Sequence, residues 1–259
     1  MQQSYKYLDS LDDSQRAAVE YIDGPSLVIA GAGAGKTRVL TTKVAYLIDS
    51  GIDPWNILAL TFTNKAAREM RERIANIVGI NAARYLQMGT FHSVFSHILR
   101  TEAERIGYNP RFTIYDRSDS SSLIKTIIKE SGLDDKKYKP NTVLSRISWA
   151  KNRLILPESY ANDPGLLKSD SAANIPEVRN IYANYQKRLK AAEAMDFDDL
   201  LVYMYVLLCN NEDIRKKYVE RFEFVLVDEY QDTNYTQARI LDLLTREGKR
   251  ICVVGDDAQ

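Results

Sequence analysis

Residues 27–40, LVIAGAGAGKTRVL, constrain the fold of this chain more than any other stretch. A short apolar run leads into Gly31, Gly33 and Gly35 alternating with alanine, then Lys36 and Thr37 at the head of a helical pattern. Glycines spaced this way let successive backbone N–H groups point into one small space and hold phosphate oxygens. The helix that follows adds the positive end of its dipole. Lys36 is placed to reach the β- and γ-phosphates of a nucleoside triphosphate, and the Thr37 hydroxyl to ligate Mg2+. The general form of this loop begins with glycine, and here Ala30 holds that position.

The surrounding pattern alternates strand and helix. SLVIA (26–30), ILALTFT (57–63) and YLQMGTF (85–91) read as strands. Each precedes a helical stretch: 36–48, then NKAAREMRERIANIVG ended by Gly79, then HSVFSHILRTEAERIG. Such units imply a parallel sheet covered by helices. From Gly107–Pro110 to Met195 the chain reads as mostly helical, punctuated by Pro140, Pro157 and Pro164. After another helix, DFDDLLVYMYVLLC, the alternation resumes with FEFVLVDEY (222–230), a helix over 236–246 and a last strand, RICVVGD. The expected fold is α/β, a parallel sheet flanked by helices and interrupted by a helical insertion. The sheet domain takes 1–110 and 196–259, and the insertion 111–195.

FVLVDEYQDTN (224–234) puts Asp228 and Glu229 directly after four apolar strand residues. Ligands of open parallel sheets gather at the carboxyl ends of the strands. Asp228 is thus placed to hold Mg2+ opposite Thr37, through water for much of the ion's shell. Glu229 can orient and deprotonate an attacking water. In isolation an Asp-Glu pair at a strand end reads as a helix cap or a solvated turn; the phosphate loop changes that reading.

Bulk properties exclude little. The formal net charge is zero, and 45% of residues are hydrophobic and 27% charged, as in an ordinary soluble protein. Residues 111–195 carry 15 Lys and Arg against 10 Asp and Glu, which suits a surface meeting phosphate and equally a solvated helical face. No apolar stretch approaches the ~20 residues needed to span a bilayer, and no membrane partner is expected. The first residues lack a signal-peptide pattern. Cys209 and Cys252 sit in apolar runs and read as two buried, reduced thiols, and His92 and His97 complete no zinc spacing. The expected location is the cytoplasm.

Several stretches together resemble one family, the UvrD/Rep-type superfamily 1 DNA helicases in their N-terminal part. They are LDDSQRAAV (11–19), AGAGAGKTRVL (30–40), LALTFTNKAAREMRERI (58–74), GTFHS (89–93), DFDDLL (196–201), VLVDEYQDTN (225–234) and VVGDDAQ (253–259), in the family's order. The family's loop tolerates alanine at its first position. The resemblance implies a RecA-like motor domain with an inserted helical subdomain, and a second motor domain absent from this chain, which stops within the last motif.

It also implies roles. Residues 30–38 (Ala30, Gly31, Ala32, Gly33, Ala34, Gly35, Lys36, Thr37 and Arg38) would bind ATP, with Arg38 close to the nucleotide. Gln15 resembles the glutamine that reads the adenine edge, which an amide can do because it both donates and accepts. Gln259 resembles the glutamine that senses the γ-phosphate. Thr61, Phe62, Thr63 and Asn64 match the family's first segment contacting single-stranded DNA, and His92 falls in a second. A base stacked on an aromatic ring gains roughly 1–3 kcal/mol without sequence preference. Core packing for Phe62 and a structural helix start for His92 are the competing readings, and His97 and Trp149 are left as core or surface residues.

The resemblance implies an ATP- and Mg2+-dependent helicase moving 3′ to 5′ on single strands and acting at single-/double-strand junctions. It implies a nucleoid-associated protein working with repair or replication proteins. A recombination-type helicase–nuclease is the nearest alternative branch. By itself the chain is expected to be a nucleotide- and DNA-binding module with slow hydrolysis. An unrelated P-loop switch is disfavoured by TFTNKAAREM and GTFHS, which have no obvious purpose there.

Overall fold

The computed structural model describes residues 5–31, 33–246 and 250–256. In chain order the first half forms α1 (Asp13–Glu20), β1 (Ser26–Ile29), α2 (Lys36–Asp49), β2 (Ile57–Thr61), α3 (Asn64–Val78), α4 (Ile80–Tyr85), β3 (Gln87–Thr90), α5 (Phe91–Thr101), β4 (Thr113–Tyr115) and α6 (Arg117–Glu130). The second half forms α7 (Pro140–Lys151), α8 (Pro157–Ala161), α9 (Pro164–Ala172), α10 (Val178–Ala191), β5 (Ala194–Asp196), α11 (Phe197–Asn210), α12 (Glu212–Arg221), β6 (Phe224–Val227), α13 (Tyr235–Thr245) and β7 (Arg250–Gly255). The chain divides into two compact units, one of Met1–Val94, Asn211–Thr233 and Leu241–Gln259, the other of Phe95–Asn210 and Asn234–Ile240.

The first unit is built on a five-stranded sheet of order β1-β7-β6-β2-β3, parallel throughout. Strands β2 (ILALT) and β6 (FVLV) are buried at every position, which explains why they read as continuous apolar runs. Leu40 and Val44 of α2 and Met70 and Ile74 of α3 cover one face, meeting Ala59, Leu226 and Val254. Strand β1 lies at the edge of the described sheet and alternates, leaving Leu27 and Ile29 more than half exposed. The register pairs Ile29 with Gly255, Leu60 with Val227 and Thr61 with Thr90, so the carboxyl ends of all five strands lie along one edge. Thr63 caps α3 by accepting from the Ala66 N–H at 3.1 Å, and Gly79 ends it at φ 87°. The sequence pattern starts the third strand at 85, whereas INAARY first makes a helical turn, α4, and β3 begins at Gln87. Six residues span too few turns to show a period.

The second unit is mainly helical. Its core joins α6, α7, α8 and α10 through Ile124, Ile147, Tyr160, Ile181 and Tyr185. The sequence reads as mostly helical here and singles out no strand, but Thr113–Tyr115 and Ala194–Asp196 form a two-stranded parallel ladder. Three residues are too few to display strand alternation. Within this unit the Lys151 ammonium, 1% exposed, bridges Asp196 and Asp199 at 2.8 Å each. Tyr185 donates to Asp196 at 2.8 Å and Gln186 to Asp199 at 2.9 Å. Asp196 also caps α11, accepting from the Asp199 N–H at 2.8 Å. Burial alone would lower the Lys151 pKa; the two carboxylates outweigh it and hold the ammonium well above its usual range. Cys209 is only half-buried, unlike the fully buried Cys252, and both thiols are free. No helix among the described residues is long and apolar enough to cross a membrane.

Candidate nucleotide and nucleic-acid site

The phosphate loop follows β1 and closes on α2. Gly35 caps α2 in the left-handed region, at φ 83° and ψ 22°. The left-handed turn favours glycine here, and a Cβ would stand 2.9 Å from Gln15 Nε2, so a larger residue would also have to push the Gln15 amide aside. Gly33 is also left-handed, at φ 79°. The loop is tied down by the Ala34 N–H donating to Gly31 O and the Ala30 N–H to Gly255 O, each 3.1 Å. Gln15 Nε2 donates to Ala34 O at 3.1 Å, while its Oε1 accepts from Asp12 N in a capping box that starts α1. The structure therefore brings Gln15 onto the loop from 19 residues away.

Lys36 Nζ lies 2.8 Å from Asp256 Oδ2 and 3.8 Å from Glu229 Oε2. The Asp256 hydrogen bond raises the Lys36 pKa, opposing the effect of burial. Asp228 is 3% exposed, and its N–H donates to Leu60 O at 2.9 Å, extending the β6–β2 ladder by one residue. Burial, then the neighbouring Glu229 charge, push its carboxyl up to about 6. Glu229 follows at φ 50° and ψ 47°, an unusual conformation for a residue with a Cβ. Its carboxylate accepts from Gln231 Nε2 at 2.7 Å, and Gln231 Oε1 accepts from the Asp256 N–H at 3.1 Å.

A pocket of ≈ 420 Å³ is lined by Gly33, Gly35, Lys36, Thr37, Arg38, Arg73, Glu229 and Asp256. That size suits a triphosphate ligand. Among the described residues no group of three His, Cys, Asp or Glu converges. The Thr37 hydroxyl and the Asp228 carboxylate, the latter outside the pocket lining, are the oxygen donors that could hold a divalent ion together with water and phosphate oxygens. A buried carboxylate and a hydroxyl, both hard oxygen donors, fit Mg2+. Ala32 and Gln259 lie outside the described residues. Sequence reasoning missed Gln231 and Arg73 and included Asp256 only as a member of VVGDDAQ. Arg73 sits in REMRERI, where it resembles a solvated helical face.

Thr61, Phe62, Thr63 and Asn64 leave the end of β2, and His92 stands in the first turn of α5 beyond β3. The Thr61–Thr90 pairing makes these two exits neighbours. The Phe62 ring packs on Phe91 at 5.4 Å and is half-buried, so it is partly a core residue. Thr61 is buried, whereas Thr63 and Asn64 are exposed. Trp149 and His97, left open by the sequence, are both exposed.

A parallel sheet with a glycine loop closing on a helix after one strand, and acidic residues after another, defines a RecA-like P-loop nucleotide-binding domain. The chain belongs to the UvrD/REP helicase family, whose N-terminal domain model matches residues 11–259. It is 44% identical over 257 residues to the ATP-dependent DNA helicase PcrA of Bacillus subtilis (strain 168), covering 99% of this chain and 34% of that protein. PcrA of Leuconostoc citreum is 43% identical over 252 residues, 97% of this chain and 33% of that protein. PcrA of Staphylococcus aureus (strain Mu50 / ATCC 700699) is 42% identical over 253 residues, 97% and 34% respectively. The chain thus spans about a third of the length of these relatives.

Proposed function

We propose that this chain forms the nucleotide-binding half of an ATP-dependent DNA helicase that moves 3′ to 5′ along single strands and opens duplex at junctions. The observation that supports it most is the convergence of Lys36, Glu229 and Asp256 on one pocket at the same sheet edge as the Phe62 and His92 exits. The motor domain is assigned to 1–110 and 196–259, with 111–195 inserted, although the compact units place 95–110, 196–210 and 234–240 with the helical unit. Residues 30–38 hold the triphosphate through backbone N–H groups and Lys36, Arg38 lies beside it, and Gln15 reads adenine. Mg2+ held by Thr37 and Asp228 would neutralise phosphate charge. Glu229 orients the attacking water and takes its proton, and Gln259 senses the γ-phosphate. Single-stranded DNA runs over Thr61, Phe62, Thr63, Asn64 and His92. The protein works in the cytoplasm at the nucleoid with repair or replication partners.

Family members of this kind complete the transition state with arginines from a second motor domain, and losing such arginines costs about 10³ to 10⁵ in rate. This chain alone is therefore expected to bind nucleotide and hydrolyse it slowly. Steady-state ATP hydrolysis with and without single-stranded DNA, beside Lys36→Ala and Glu229→Gln, is the test. Slow turnover that Glu229→Gln removes while nucleotide binding persists is the expected result. Robust unwinding that survives Lys36→Ala would overturn the assignment of the site.

Binding to single-stranded DNA should weaken with salt at a log–log slope of about −0.7 per neutralised phosphate. Phe62→Ala should cost roughly 1–3 kcal/mol of that binding through lost stacking, leaving the slope unchanged. Fluorescence anisotropy across a salt series measures both, and an unchanged affinity would show that Phe62 does not stack on a base.

A further inference from the structure

We propose that Lys43 is a positioning residue for nucleobase recognition, fixing α1 and with it the Gln15 amide against the phosphate loop; this rests on reading Gln15 as the base-reading amide. Lys43 lies on α2, about two helical turns beyond the loop, and is 0% exposed. Its ammonium donates to Ala18 O at 2.8 Å and to Tyr21 O, carbonyls at the end of α1. The Phe224 ring lies 5.4 Å away. Among the described residues Lys43 forms no ion pair, so its charge faces the negative end of a helix dipole and two carbonyls that the helix itself leaves short of donors.

The other end of α1 is fixed to the loop. Asp12 and Gln15 form the capping box, and Gln15 Nε2 reaches Ala34 O. Between the two ends Val19 packs into a small cluster with Leu8 and Val39. A helix of eight residues does not hold its shape unaided in water. Here α2 supplies both the loop that Gln15 touches and the lysine that anchors the far end of Gln15's helix. A primary amide has two N–H donors and two acceptor lone pairs, so one of each remains for a nucleobase beyond the two bonds described. Where those point is set by the placement of α1, and Lys43 sets that placement.

A purely structural lysine and a positioning lysine differ in what they do to different ligands. The experiment is calorimetric binding, with Mg2+, of ATP and of inorganic tripolyphosphate to this chain as wild type, Lys43→Met, Lys43→Arg, Gln15→Ala and the Lys43→Met/Gln15→Ala double variant. Tripolyphosphate engages the loop but offers no base. Lys43→Met is expected to weaken ATP about tenfold and leave tripolyphosphate unchanged. Lys43→Arg, which keeps a charged donor for the two carbonyls, should restore the wild-type ratio. Gln15→Ala should produce the same loss, with no further loss in the double variant, because residues acting as one unit are not additive. Equal losses for both ligands, or additive losses in the double variant, would overturn the proposal. If Lys43→Met does not melt cooperatively, Lys43→Gln carries the test: faster hydrogen exchange over 13–20 with a reduced ATP preference supports it, and an unchanged preference overturns it. Gln15→Ala without effect on ATP would instead refute the base-reading assignment beneath it, whatever Lys43 does.

Discussion

Asp228→Asn is expected to stabilise the ligand-free chain above about pH 6 and to abolish metal-dependent nucleotide binding. Burial raises this carboxyl from 3.8 to about 6, so the folded state holds the proton more tightly than the unfolded state does. Stability is therefore lost, not gained, as pH rises through that window. At pH 8 the folded chain bears a buried anion whose cost is about 3 kcal/mol at most, since each tenfold change in proton affinity is worth ~1.4 kcal/mol. Asparagine keeps the shape and an acceptor without the charge. Melting curves at pH 8 should shift upward by several degrees, those at pH 5 by about half as much, and those near pH 3 should scarcely move, because the penalty builds up between the unfolded value of 3.8 and the folded value of about 6. A lower melting temperature at pH 8 would mean that the carboxylate offsets its burial through a partner in the ligand-free protein. The same substitution removes the anion that a divalent ion would meet, so nucleotide affinity should no longer respond to added Mg2+. In the wild type that response should fade as pH drops below about 6.

Lys151→Met should have the largest effect on folding. It leaves Asp196 and Asp199, both buried, without the cation that each contacts at 2.8 Å. Breaking a buried ion cluster from one side typically costs roughly 3–5 kcal/mol, because the stranded charges cannot reach water. For a chain of this size that is a fall in melting temperature on the order of 10 °C. Burial raises Asp199 to about 6, while Lys151 outweighs the same burial at Asp196 and lowers it. Without the ammonium both carboxyls rise, and an acid with a raised folded pKa favours the folded state only while protonated. The gap between variant and wild type should therefore narrow at pH 5 and widen at pH 8. A gap that does not vary with pH would show that lost packing, not stranded charge, is the cause.

What can be read from the sequence follows from the range over which its causes act. The loop at 31–37 and the Asp228–Glu229 pair are local: strand, turn and helix are contiguous, and the chemistry sits inside them. The strands β2 and β6 are legible because burial on both faces writes an unbroken apolar run. Asp256 has its partner Lys36 220 residues away, so nothing beside it in the chain reveals the pairing. Lys151 and Lys43 look like ordinary helical lysines, since a buried cation is recognisable only from what encloses it. In DFDDLL the acids read as helix-start residues, which Asp196 is; the ammonium behind them lies 45 residues earlier. The ladder β4–β5 and the helix α4 escape a sequence reading because three and six residues carry no measurable period.

The contact between Lys36 and Asp256 changes what binding at the loop means. On the proposed reading an arriving phosphate would not find a bare cation; it would enter an exchange in which one anion displaces another. Only the difference between the two partners appears as affinity, so ligands with a single weakly held phosphate gain little, and those with several phosphates gain most. The released Asp256 side chain, which follows β7 and whose backbone N–H is held by Gln231, must then settle elsewhere. Gln231 also holds Glu229, so the Asp256 backbone and the acidic pair share one side-chain partner. On the proposed reading, the loop is a latch engaged by one of the protein's own carboxylates, and an incoming triphosphate would be the key that trades places with it.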